Sequence, residues 1–583
     1  MNRHPNLLQS CAVALGAMAL APAALAAMSC ADLGSYLAAQ PYIGPVPPAS
    51  ALATLTPAVP NARCELNFIY SSRGGTKDGY AEGQDQRIVL RVGLPLNSVD
   101  GGSGGAQGAW NGKLQNLGGG GLVGNVGGVT AATNTGYVGS STDSGHPAAD
   151  NPNFAVIQAT HELNKGRLDD FLNESIHQQY RWALWAARHY YGMEASRNYW
   201  NGCSTGGRQG LALALRHAKD FDGFLVGAPA NFHTRLQVAT VWPTWINKDV
   251  AHNTLTNAKM QAANASAIAA CDAQDGVTDG LLADPRACKF DASANVCGQA
   301  GAPASNCLTA DEAKAVNLIW DGPRNDHGNR IWFPFGRGAN ASVISAPPFG
   351  GPCGSLGIYC WSHRDVNFDW TPLPLSQFDD ETQLATNVVA PYSDIVSVKL
   401  DEARKHGVKI LMWHGETDQL IPWRQSVHYY REAAQRFDGF DKLKSWYRFF
   451  LAPGVNHCGA GAGPQPQALF DTMVNWVETG KAPAMITAAN SSGGVVTRSR
   501  PLCPYSQTAI YQGGDSNDAA SFRCGGNLET TANLCMDLVA KYQHETRDAL
   551  DTRGLSHEQL EACFPRDHHH GRHDDDQDPR DRD

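Results

Sequence analysis

Apolar positions along the chain fall into two alternating periods. Residues 87–92, Arg-Ile-Val-Leu-Arg-Val, are rich in β-branched and apolar side chains and stop before Pro95, which predicts a strand. Residues 110–117 predict a second strand, opening into the glycine run 118–121. Ile176, Tyr180, Ala183, Leu184, Ala187 and Tyr191 recur at helical spacing, and Gly192 closes that helix. A short strand, Asn198-Tyr199-Trp200, then leads into the turn at Cys203-Ser204. Leu211, Ala214, Leu215 and Ala218 mark one helix face, and Phe224-Leu225-Val226 makes the next strand. Such alternation implies a mainly parallel sheet with helices on both faces. From about residue 230 to 393 the pattern gives way to Asn, Asp, Gly, Pro and Cys, with short helical pieces at 257–270 and 310–319. This predicts an inserted, disulfide-stapled lid over 231–393 that splits a catalytic domain made of 27–230 and 394–565. Alternation resumes at 396–406 and at Lys409-Ile410-Leu411-Met412-Trp413.

Both ends of the chain depart from this picture. Arg3, the apolar run 11–20 and Ala24-Leu25-Ala26 form a secretory signal over 1–26, with cleavage near Ala27. That run is too short to span a membrane, no later stretch approaches membrane length, and Ala27-Met28-Ser29 lacks the pattern expected before a lipidated Cys30. Residues 566–583 are Asp, His and Arg with almost nothing to bury, which predicts a disordered tail. A net charge of −10 in 583 residues implies no basic surface, and so no nucleic-acid partner. Secretion or a periplasmic location is expected.

Cysteine usage agrees with export. Of 15 cysteines, Cys11 lies in the signal, and the even remainder suits an oxidising compartment. Spacing suggests Cys30 with Cys64, Cys271 with Cys288, Cys297 with Cys307, Cys353 with Cys360, and Cys503 with Cys524. Cys535 and Cys563 are left for each other, and Cys203 and Cys458 remain as the long-range pair. Zinc ligation is disfavoured, since no C-x-x-C occurs.

Gly202-Cys203-Ser204-Thr205-Gly206 fits G-x-S-x-G, a turn in which small flanking residues push the serine outward between strand and helix. Gly101-Gly102-Ser103-Gly104-Gly105 also fits, but neither strand nor helix surrounds it, so context selects Ser204. A serine hydroxyl needs a base, and His457 in Asn456-His457-Cys458-Gly459 follows the apolar end Phe450-Leu451-Ala452-Pro453. His146, His217, His414 and His428 read as satisfied polar residues. Asp418, just past the 410–412 run, is the expected acid, with Glu416 its competitor. The order Ser, Asp, His is that of the α/β-hydrolases. Oxyanion donors are expected at the Thr205 N–H and in the glycine loop at Gly119 or Gly120. A Cys203–Cys458 disulfide would hold Ser204 and His457 on neighbouring loops.

A second candidate site lies between Cys271 and Cys288. Asp272, Asp275 and Asp279 in a glycine-containing loop offer hard oxygen ligands, and the carbonyls of Val277 and Leu281 would complete a Ca2+ shell. The spacing is not that of an EF-hand, and the expected role is structural and distant from the chemistry. The histidines at 568–570 and 573 read as a solvated tail rather than a metal site.

Adjacent Cys203-Ser204 and His457-Cys458, with Asp418 and the Asp-rich loop, resemble the tannase and feruloyl esterase family over essentially the mature chain. The resemblance implies an α/β-hydrolase core, a lid over an acyl pocket, structural calcium, and hydrolysis of aromatic acid esters: gallates, feruloyl esters of plant polymers, or terephthalate monoesters. Trp320, Trp332, Phe333, Phe335, Tyr359 and Trp361 supply aromatic surface in the lid for the acyl pocket, and Arg337 or Arg364 could meet a carboxylate or phenolic oxygen, although each taken singly reads better as lid core. A secreted serine peptidase and a non-catalytic binding protein on the same fold are the other classes to separate.

Overall fold

The computed structural model describes residues 26–48, 51–56, 62–103, 108–325, 327–339, 351–540 and 550–563. The expected signal, except for its last residue, and the expected tail fall outside them. The core is a ten-stranded mixed sheet. Its parallel part runs, in spatial order, through Val138–Thr142, Lys113–Leu117, Arg197–Cys203, Gly223–Gly227, Lys409–Gly415 and Tyr447–Ala452. Gly223–Gly227, Lys409–Gly415 and Tyr447–Ala452 are buried almost throughout, which is why they read as largely apolar runs rather than alternating ones. Ile88–Pro95 and Arg63–Tyr70 extend the sheet antiparallel, and Arg63–Tyr70 in turn pairs with Ile43–Pro45 and Ala53–Thr56.

The helices Ser175–Tyr191 and Thr205–Arg216 follow the apolar spacing, and Gly192 caps the first in the left-handed region at φ 71°. Gly223–Gly227 and Lys409–Gly415 are hydrogen-bonded neighbours, so residues 228–408 leave the sheet between two adjacent parallel strands. The neck of this excursion is tied: Ile395 N donates to Asn231 O, and Thr234 N donates to Asp394 Oδ1 at 2.7 Å.

Inside the excursion the structure adds helices the sequence reading does not predict, among them Phe378–Val388 and a larger one. Residues His233–Asp249 form a 17-residue helix that contains Pro243. It is buried nearly all round, so no apolar stripe stands out against a polar face, and its proline reads as a breaker. By contrast 396–406 yields only the short helix Asp401–Lys405. Trp320, Trp332, Phe333, Phe335, Tyr359 and Trp361 are all at most 2% exposed. They pack as lid core: Trp332 lies on Phe232 and Phe333, and Tyr359 on Trp245 and Trp370. Arg337 stacks over Trp320 and pairs with Asp321, while Arg364 is exposed.

Seven disulfides are present: Cys30–Cys64, Cys203–Cys458, Cys271–Cys288, Cys297–Cys307, Cys353–Cys360, Cys503–Cys524 and Cys535–Cys563. Among the described residues no helix is long and apolar enough to cross a membrane.

Candidate active site

Ser204 stands between the end of the Arg197–Cys203 strand and the start of the Thr205–Arg216 helix, at φ 62° and ψ −123°. A non-glycine residue in that region is strained, and the surrounding contacts must hold it there. Ser204 N donates to Gly227 O at 3.0 Å, and Ser204 O accepts from Arg208 N and Ala230 N. The turn is tight because its flanks lack side chains. A Cβ on Gly202 would stand 2.5 Å from the Gly206 carbonyl carbon, and one on Gly118 would stand 2.5 Å from Gly206 Cα.

The loop after Lys409–Gly415 and the loop after Tyr447–Ala452 are laced together. Glu416 N donates to Ala452 O, Thr417 N to Val455 O, and His457 N to Gln419 Oε1. This lacing brings His457 Nδ1 to 2.8 Å from Asp418 Oδ2. A carboxylate accepts, so Nδ1 carries the hydrogen and Nε2 is left as the basic nitrogen. Asp418 is wholly buried. Its Oδ1 accepts from Leu420 N and Ile421 N, both at 2.8 Å, and its Oδ2 is shared with His414 Nε2 at 3.0 Å. Burial opposes the Asp418 charge, but the nearby His457 and the bonds from both histidines outweigh it and hold the carboxyl well below the usual carboxylate range. Burial likewise opposes a charged His457, yet Asp418 outweighs it and raises the imidazole above its ordinary value.

Glu416, the competing acid, makes no such contact. It is also buried, its Oε2 has no partner, and burial pushes its carboxyl well up. Cys203 and Cys458 are disulfide-bonded with Cα atoms 6.0 Å apart, which sets the serine turn beside the histidine loop. Like Ser204, Cys458 has a left-handed backbone, at φ 57°.

The glycine loop lies over the helix start, where Thr205 Oγ1 donates to Gly121 O at 2.5 Å. The N–H groups of Gly118 and Gly119 are engaged, by Asn201 O at 2.9 Å and by Gln209 Oε1 at 3.0 Å. Gly120 is exposed. The sequence reading did not find Gln209, Gln419 or the His414 contact. His414 carried a legible signal in its position, four residues before Asp418 in the same strand-end turn.

In the Asp-rich loop, Asp272 accepts from the N–H groups of Asp279 and Gly280, Asp275 from Val277 N, and Asp279 from Leu281 N. Arg500 Nη2 also pairs with Asp279. Burial raises the Asp275 carboxyl, and the charges of Asp279 and Asp272 raise it further, a like-charge crowding that a divalent cation would relieve. The loop is not remote from the candidate active site. A cavity bounded by Asp275, Val277, Asp279 and Leu281 is also walled by Glu416 and Pro453. A Cβ on Gly454 would stand 2.5 Å from Leu281 Cδ2, so this loop abuts the segment that carries His457.

Among the described residues the trio of His, Cys, Asp or Glu side chains whose ligand atoms all lie within 4.8 Å of one another is His177, His217 and Asp220. Its imidazoles are stacked at 3.6 Å with an interplanar angle of 14°, so their lone pairs lie in nearly parallel planes rather than converging from different sides.

A model of the family described as tannase and feruloyl esterase matches residues 106–351 and 353–525. A probable feruloyl esterase of Arthroderma benhamiae is 31% identical over 505 residues, covering 83% of this chain and 88% of the relative. The mono(2-hydroxyethyl) terephthalate hydrolase of Piscinibacter sakaiensis is 28% identical over 539 residues, covering 82% and 87%. Among solved structures, feruloyl esterase B from Aspergillus oryzae superposes with a TM-score of 0.69 at 23% identity, covering 85% of this chain and 100% of that one. Tannin acyl hydrolase from Aspergillus niger gives 0.68 at 21% identity, covering 83% and 90%, and at these identities the likeness shows the fold.

Proposed function

Because the chain belongs to the tannase and feruloyl esterase family, we propose that it is a serine esterase hydrolysing carboxylic esters of aromatic acids such as ferulate or gallate. The observation that supports this best is the Cys203–Cys458 bond, which sets the Ser204 turn beside a histidine already oriented on a buried carboxylate.

Ser204 Oγ attacks the ester carbonyl while His457 Nε2 takes its proton, and Asp418 holds the imidazole in the required tautomer and stabilises its charged form. The tetrahedral oxyanion is held by the Thr205 N–H at the helix start and by the Gly120 N–H. Gly119 is less suited, because its N–H already donates to Gln209. His457 then protonates the leaving alcohol, the acyl group remains on Ser204, and water activated by the same histidine releases the aromatic acid.

Asp272, Asp275 and Asp279, with the carbonyls of Val277 and Leu281, would hold calcium. Bound there, the ion would neutralise the crowded carboxylates and stiffen the loop that abuts the His457 segment. An oxidising location, secreted or periplasmic, is the setting that so many disulfides suit. Substrates are small aromatic esters or ester groups on plant polymers, with no nucleic-acid or membrane partner.

The Piscinibacter sakaiensis relative favours a second reading, hydrolysis of a terephthalate monoester. Parallel assays with methyl ferulate, methyl gallate, a terephthalate monoester and a peptide test these readings. Cleavage of the first two that disappears in Ser204→Ala is the expected result. Faster cleavage of the third favours the alternative, and cleavage of the peptide alone would sink both.

A further inference from the structure

His414 lies wholly buried at the end of the Lys409–Gly415 strand, and all three of its polar contacts are fixed by the fold. Nε2 faces two acceptors, Asp418 Oδ2 at 3.0 Å and Ile421 O at 3.2 Å, so Nε2 bears the hydrogen. Nδ1 lies 2.8 Å from Oγ of Ser426, a buried residue on the Arg424–Arg436 helix, and accepts that hydroxyl's hydrogen. The ring is thereby anchored at Nδ1 by an element that takes no part in the proposed chemistry. Asp418 in turn receives four donors, two at each oxygen, and its Oδ2 is divided between His414 and His457.

We propose that His414, its tautomer set by the two acceptors at Nε2 and its ring anchored by Ser426, is a positioning residue for the reaction above. The inference rests on the esterase reading. The His414 N–H fixes the direction in which Asp418 presents Oδ2 to His457. It also draws off part of the carboxylate's charge, which tempers the pull of Asp418 on the proton of His457. The ionisable side chains in direct contact within this network are Asp418, His414 and His457. The arrangement follows a general rule of histidine chemistry, that the ring nitrogen which works is selected by the bond made at the other one. Here that rule acts one residue further back, on the acid that orients the base.

The test uses the whole protein and whichever ester the wild type cleaves. His414→Leu removes the donor, His414→Gln keeps an N–H near the position of Nε2, and Ser426→Ala removes the anchor at Nδ1 while leaving the ring. Loss of the donor should lower kcat by roughly tenfold to a hundredfold at nearly constant KM, since a slight misplacement of the catalytic base has that effect. The acid limb of kcat/KM should also move to higher pH, because Asp418 then acts on His457 with its full charge. His414→Gln should restore the limb and most of kcat, and Ser426→Ala should show the same changes in smaller measure. A merely structural role would lower Tm and leave both kcat and the limb in place. If His414→Leu does not fold, Ser426→Ala decides: wild-type kcat and pH profile in a folded Ser426→Ala protein overturn the proposal. A wild type inert towards every ester overturns the esterase reading and this inference together, whereas active wild type with unaffected variants overturns this inference alone.

Discussion

Leu281 of the Asp-rich loop packs on Gly454, three residues before His457, so closely that a Cβ at position 454 would stand 2.5 Å from Leu281 Cδ2. Gly454 also has φ 69°, where any side chain adds strain. The proposed calcium loop is thus joined by direct contact to the backbone that presents the base. Chelation with EGTA should lower Tm and reduce kcat with little change in KM, and added Ca2+ should restore both. Asp272→Asn should do the same and blunt the response to Ca2+. A thermal scan and a rate measurement on each sample check this, and a Tm indifferent to chelator argues against the ion.

Substitution separates the two neighbouring carboxyls. Asp418→Asn should cut kcat by roughly 10³ to 10⁴, the scale on which a triad acid acts by fixing the tautomer of its histidine. Glu416→Gln, which replaces a carboxyl that burial already drives towards neutrality, should leave kcat within a few-fold of wild type. Equal losses in both variants would contradict the division of roles between these residues.

The pH profile follows from the direction of the His457 shift. The imidazole must be uncharged to accept the serine proton, and Asp418 raises its value above the usual 6.5. Activity should therefore be full at alkaline pH and be lost as pH falls through that raised value. The acid limb of kcat/KM should have its midpoint above 6.5. A midpoint below it would mean that Asp418 does not act on the ring as the contact implies.

Stability has its own buried centre, Asp537, which pairs with Arg286 of the excursion and with Arg424 and Arg431 of one core helix. Burial opposes its charge, but the three guanidinium groups outweigh it and hold the carboxyl far below its ordinary value. Asp537→Ala would strand buried positive charge and should destabilise by about 3 to 5 kcal/mol. The depressed carboxyl contributes stability above its unfolded value near 3.9, and that contribution is lost as pH falls further. Urea melts of wild type and variant at pH 7 measure the difference.

Most core strands from 88 onward and the helices around Ser204 could be read from sequence because local apolar runs and capping glycine coincide with the tertiary arrangement, whereas Val138–Thr142, a buried strand mostly of Gly, Ser and Thr, offers no apolar run. The helix His233–Asp249 could not, because it is enclosed on nearly every face and sequence periodicity reports only the contrast between two faces. At the candidate site, Asp418 is the expected acid, but nothing in the string excludes Glu416. They are told apart by a contact between the loops that follow two neighbouring strands. Gln209 is a similar case: nothing in the helix sequence announces that its side chain reaches the Gly119 N–H. The contact of Leu281 with Gly454 is equally invisible, being made between segments separated by most of the lid and two core strands.

The Cys203–Cys458 bond gives the chain a redox dependence. In a reducing compartment the turn bearing Ser204 and the loop bearing His457 would have no covalent link, and thiols there are kept reduced. Without that link the Ser204 turn and the His457 loop would be held together by non-covalent contacts alone, so hydrolytic competence would depend on the redox state around the protein.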